Sequence, residues 1–143
     1  MKYDDMSWHI EGDFPTDVAE SAAATHIGFF AAWSWLHGLG GASFSESVDE
    51  LSSILKERSL SPGQLIIRFC DGKLTDEDLN EEGNRFAAAY YEDNENGYGD
   101  DYVKNLVENL PSFYHVVDNW NNYSRIEPVI DERFKRWAIK FKK

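Results

Sequence analysis

Basic residues are scarce in this chain of 143 residues: 14 Lys and Arg stand against 26 Asp and Glu, a formal net charge of -12. A surface of that sign repels phosphate backbones and anionic lipid, so neither nucleic acid nor membrane is an expected partner and a basic protein surface is the natural one. Cysteine is almost missing. Cys70 stands alone, which excludes an internal disulfide framework and a multi-cysteine zinc site and suits a reducing cytoplasm. Long apolar runs are missing too, because the most apolar stretch, residues 22–39, is interrupted by Thr25, His26, Ser34 and His37 and is too short and polar to cross a bilayer. Residues 1–9 reach Trp8 and His9 without an apolar segment, so no export signal is expected and the cytoplasm is the expected compartment. A phosphate-cradling glycine loop is lacking as well, since Gly38-Leu39-Gly40-Gly41 closes a helix and follows no strand.

Aromatic residues are plentiful: five Trp, seven Tyr and nine Phe supply a packed core. Between residues 25 and 37 apolar side chains occur on every side of a helical projection (Ile27, Phe29, Phe30, Ala31, Ala32, Trp33, Trp35, Leu36), the pattern of a helix surrounded by others. Residues 1–21, with six carboxylates and Pro15 but no period, are expected to form an irregular arm anchored by Trp8, Ile10 and Phe14. Ser45 or Ser47 can cap a helix carrying Val48, Leu51, Ile54 and Leu55. Ser61-Pro62-Gly63-Gln64 has the order of a capping box with proline at the first helical position, although Leu65 to Cys70 alone would also suit a buried strand. Thr75, followed by Asp76, Glu77 and Asp78, is expected to cap a helix running to Tyr91. Tyr102, Val103, Leu106, Val107 and Leu110 resume the helical period. Residues 112–123 suit a helix or a short strand, and Ser124 to Glu127 has capping-box spacing ahead of a last amphipathic helix bearing Val129, Ile130, Phe134, Trp137 and Phe141. The expected fold is one all-α domain, a bundle of six or seven helices around the central helix.

Charge is unevenly placed. Residues 71–101 carry eleven carboxylates against Lys73 and Arg85, a net of -9, whereas residues 133–143 carry six basic groups and no acidic one. Within the acidic segment, Glu77 with Glu81 and Asp78 with Glu82 stand at i,i+4 and would share a cation on one helix, as metal-dependent all-α hydrolases require. Such an enzyme also needs a second carboxylate pair on a facing helix, and no other helix offers an equally dense set. Residues 92–103 place Glu92, Asn94, Asn96, Gly97 and Asp100 at calcium-loop positions, but Val103 stands where the bidentate glutamate belongs. His26 and His37 share a helix face about 16 Å apart, too far for one ion. His9 and His115 are the other two histidines. Cys70 suits a small buried side chain better than a nucleophile. No metal or other cofactor is therefore expected, and no catalytic residue is assigned.

Three stretches, KYDDMSWH with GDFP, then ATHIGFFAAW, then DGKLTDEDLNEEGNRFAAAYY, resemble an uncharacterised family of small acidic bacterial proteins. Proteins of that kind are frequently immunity partners of secreted toxins. The resemblance implies a non-catalytic binder that neutralises a cognate toxin with a basic surface. The charge pattern and the tyrosines together select a docking segment: Asp76, Glu77, Asp78, Glu81, Glu82, Tyr91, Asp93, Glu95, Tyr98, Asp100, Asp101 and Tyr102. Two competing expectations are the metal-dependent hydrolase and a self-associating subunit in which the acidic middle of one copy meets the basic C-terminus of another.

Overall fold

In the computed structural model, which describes residues 1–41 and 48–141, the chain runs β1 (Lys2–Asp5), α1 (Met6–Ile10), α2 (Thr25–Leu36), α3 (Val48–Glu57), α4 (Pro62–Cys70), β2 (Lys73–Thr75), α5 (Glu81–Tyr90), α6 (Tyr98–Tyr102) and α7 (Trp120–Phe141). The fold is all-α apart from the short antiparallel pair β1–β2, in which Asp4 faces Leu74 and Asp5 faces Lys73. Ser45 and Ser47, the expected caps of α3, lie outside the described residues.

A helix without a polar face is stable only when every side is covered. That holds for α2: Thr25 to Trp35 are all buried, and only Leu36 reaches solvent at its end. Aromatic rings collect around it, with Phe86 lying 5.5 Å from Trp33, 5.1 Å from Phe134 and 5.5 Å from Trp137 between ring centroids. α2 packs most extensively on α4. The capping box expected at Ser61 and Gln64 is formed, with Pro62 in the first turn, so the segment is helix and not strand. Asp118 reinforces that end from 55 residues away, accepting the Gly63 N–H at 2.9 Å, and it accepts the Ser61 hydroxyl at 2.6 Å.

Four local expectations are corrected. The first ten residues are not an irregular arm, because β1 pairs with β2 and α1 is capped by the Asp5 side chain. No single helix runs from Thr75 to Tyr91. Thr75 does form a capping box with Asp78, but the turn lasts only from Asp76 to Asp78; Leu79 is extended and forms an isolated bridge with Gly40, and Asn80 then caps α5. The helix expected from Tyr102 begins at Tyr98 and widens into a π-helical turn over Val103–Val107, leaving Val103 and Leu110 exposed. α7 starts before the expected box at Ser124, where Asn119 accepts the Asn122 N–H at 2.7 Å, and it carries Pro128 in its interior. Residues 113–115 form a 3-10 turn.

Candidate functional site

β1, α1 and α2 meet at a carboxylate. Asp4 is buried where β1 passes the start of α2, and both of its oxygens are occupied: Oδ1 accepts from His9 Nε2 at 2.7 Å and from the Asp5 N–H at 2.8 Å, and Oδ2 accepts from His26 Nε2 at 3.0 Å and from the Tyr91 hydroxyl at 2.5 Å. His9 Nδ1 lies 2.6 Å from the Tyr114 hydroxyl, and the rings of His9 and His26 meet edge to face at 4.6 Å. His26 is held by its place in α2, and its carbonyl accepts the Tyr98 hydroxyl at 2.5 Å. Burial works against an ionised Asp4, yet the hydrogen bonds from His26 and His9 hold its carboxyl well below the usual carboxylate range. Burial also pushes His26 below the usual imidazole value, against the opposing pull of Asp4.

One ligand-type atom from each of Asp4, His9 and His26 lies within 4.8 Å of the others, the arrangement among the described residues that is suited to a cation. The sequence spacing sets His26 on one helix face with His37, whereas the histidine beside it in the fold is His9. The only trace in sequence is that Asp4 with His9, His26, and Tyr91 occupy the three stretches that carry the family resemblance. Tyr114 also lines a cleft of about 280 Å³ beside Thr25, His115 and Asp118. The Thr25 hydroxyl is buried there without a hydrogen-bond partner among the described residues.

The acidic segment divides into an inner and an outer set. Tyr98 and Tyr102 are buried in the core, and the Tyr91 hydroxyl is buried against Asp4, so these tyrosines are not contacts on an open surface. Asp101 is also inside: it accepts from Tyr90 Oη at 2.7 Å and from Arg133 Nε and Nη2 at 2.9 and 3.0 Å. Asp78 is buried too, receiving the Thr75 N–H at 2.8 Å and the Cys70 Sγ–H at 3.3 Å. Burial and that carboxylate push the Cys70 thiol up, away from a reactive thiolate. The outer set is Asp76, Glu77, Glu81, Asp93 and Glu95, which are exposed, with Glu82 and Asp100 half-buried.

This division removes the motive for two competing expectations. Asp78 and Glu82 do not share a helix face, since Leu79 and Asn80 separate the turn that ends at Asp78 from α5, and the same break parts Glu77 from Glu81. The basic C-terminal helix already meets the acidic middle within one chain through Arg133 and Asp101, and Arg136 pairs with Glu132, so head-to-tail pairing between copies loses those two cations. His37 and His115 are tied to Asp131 at 2.9 Å and Asp17 at 3.0 Å.

Among the described residues no helix is long and apolar enough to cross a membrane. No curated relative and no solved structure matches the chain. A family model does match, over residues 2–116, a span that takes in Asp4, His9, His26, Tyr91, Tyr114 and the whole acidic segment, and the chain therefore belongs to the family described as a domain of unknown function, DUF7832.

Proposed function

We propose that this protein is a non-catalytic binder that holds a basic protein partner against its acidic face, and that in a bacterial cytoplasm it serves as the immunity protein of a toxin. The observation that carries this reading is the exposure of Asp76, Glu77, Glu81, Glu92, Asp93 and Glu95 on either side of and at the start of α5, to which the chain around the half-buried Tyr3 is tied through Asn84 and Asp76. Tyr3, on β1, donates to Asn84 Oδ1 at 2.7 Å. Burial first, and then the negative charges of Glu92 and Asp76, push its hydroxyl above the ordinary tyrosine value. Carboxylates before and after α5 thus share one patch with a half-buried aromatic ring, a composition that supplies both long-range steering and a contact of low entropy cost. Tyr3 takes the role that the sequence had suggested for Tyr98 and Tyr102.

A toxin that acts on phosphate-bearing substrates needs an electropositive cleft, and an acidic patch fills it in place of the phosphates. The test is co-expression with the product of the adjacent gene, followed by association kinetics with the purified partner. Cells carrying the intact chain are expected to survive. Replacing Glu77, Glu92 and Glu95 with lysine, all at exposed positions, is expected to slow association at low salt far more than at high salt. Growth arrest despite the intact chain defeats the immunity reading; association kinetics indifferent to the three reversals defeat the acidic face.

A further inference from the structure

We propose that Asp4, His9 and His26 bind one divalent transition-metal ion of the zinc class. The site is separate from the acidic docking patch and does not depend on it. Two imidazoles and a carboxylate are a donor set suited to zinc, cobalt or iron, and three protein ligands leave a coordination position for water or a small ligand. These donors come from β1, α1 and α2, and their ligand-type atoms lie within 4.8 Å of one another.

The surroundings are those that metal ligands need. Ligating histidines are oriented by a partner on the second ring nitrogen, and His9 Nδ1 has the Tyr114 hydroxyl at 2.6 Å. Ligating carboxylates are oriented by further hydrogen bonds, and Asp4 receives the Asp5 N–H on one oxygen and the Tyr91 hydroxyl on the other. His26 and Asp4 are buried and fixed, while the His9 side chain keeps 24% of its surface, so an ion approaches from the His9 side. The cluster must open slightly to admit one. Ligands about 2.0–2.1 Å from a tetrahedral ion stand about 3.3 Å apart. The present Nε2 to carboxylate separations are 2.7 and 3.0 Å. That movement falls on α1, five residues long and without a buried residue. On binding, each Nε2 gives up its proton and offers its lone pair to the metal, and the ring proton that remains sits on Nδ1, where His9 donates it to the Tyr114 hydroxyl oxygen. The hydrogen bonds from His9 and His26 to Asp4 are exchanged for metal bonds, and the cation compensates the charge of the buried carboxylate.

Cobalt(II) reports on such a site directly through its visible d–d bands. The full chain is stripped with chelator, titrated with cobalt, and then challenged with zinc. One equivalent of cobalt is expected to give tetrahedral or five-coordinate bands that zinc abolishes. His9→Gln, at a partly exposed position, is expected to lose the bands while keeping the far-ultraviolet circular dichroism of the parent, and Tyr114→Phe is expected to weaken binding by about 10- to 100-fold. His26→Gln provides a second ligand deletion should His9→Gln disturb α1. Absence of stoichiometric cobalt binding by the folded parent overturns the proposal and leaves the cluster as a hydrogen-bond network. Bands that survive both His9→Gln and His26→Gln overturn it equally, by placing the ion among the surface carboxylates.

Discussion

Asp101 and Glu95 carry the same charge six positions apart and live in opposite surroundings. Asp101 is 4% exposed and bonded to Tyr90 and Arg133, whereas Glu95 lies in the open loop between α5 and α6. Removing one member of a buried pair strands the other, so Asp101→Ala is expected to cost about 3 kcal/mol, the low end for such a loss because Arg133 keeps some contact with water. Glu95→Ala is expected to stay within about 0.5 kcal/mol of the parent. Urea denaturation of the two variants compares them, and equal destabilisation would contradict the burial assigned to Asp101. Nothing in the string of acidic residues distinguishes these two carboxylates, because an acid's partner is set by what packs against it.

Among the described elements, α2 packs most extensively on α4, and that contact depends on Gly28. A Cβ at that position would stand 2.3 Å from the Pro62 carbonyl oxygen and 2.6 Å from the Gly63 nitrogen, both backbone atoms that have no rotamer to change. Helix propensity alone favours alanine over glycine by about 1 kcal/mol. Packing predicts the opposite sign, a loss of about 1–3 kcal/mol or more for Gly28→Ala as α2 is pushed off the first turn of α4. Thermal denaturation decides between them, and a raised midpoint would mean that the two helices have room to spare. The Ser61 box that starts α4 was legible because its residues lie within four positions of one another. The break at Leu79 was not legible, since it arises from a bridge to Gly40, 39 residues earlier.

For the molecule as a whole, the cluster at Asp4 couples stability to pH. His26 titrates lower in the folded chain than its ordinary value near 6.5, so below about pH 6.5 the unfolded chain binds a proton that the native state refuses. Its contribution is complete above that pH and is lost as pH falls towards the folded value. Asp4 is shifted in the same direction, so its contribution is present above about pH 4 and is lost as pH falls further. Urea midpoints measured in metal-free buffer are therefore expected to decline between about pH 7.5 and 5.5 and again below about pH 4, with His26→Gln flattening the first step. A pH dependence between about pH 7.5 and 5.5 that His26→Gln leaves unchanged would contradict the burial of a neutral His26. The C-terminal helix belongs to the same unit: residues beyond 116, outside the family match, supply Arg133 to Asp101, and Phe134 and Trp137 to the rings around Phe86.

Sequence by itself determined the all-α class, a central buried helix read as residues 25–37 of which Leu36 and His37 prove exposed, the start of α4 and the segregation of charge. Each of these follows from short-range physics: the angular spread of apolar side chains over three turns, the reach of a serine hydroxyl to a neighbouring N–H, or the sum of charges in a window. Only the tertiary structure decided which tyrosines and carboxylates face water and that Asp4 gathers two histidines. Burying a tyrosine gains apolar contact for its ring and is helped when its hydroxyl finds an acceptor inside. The acceptors here are Asp4 for Tyr91, 87 residues away, and the His26 carbonyl for Tyr98, 72 residues away. Partners at those separations meet only after α2 has been enclosed, because it is the packing of β1, α5 and α6 around that helix that brings them within hydrogen-bonding distance.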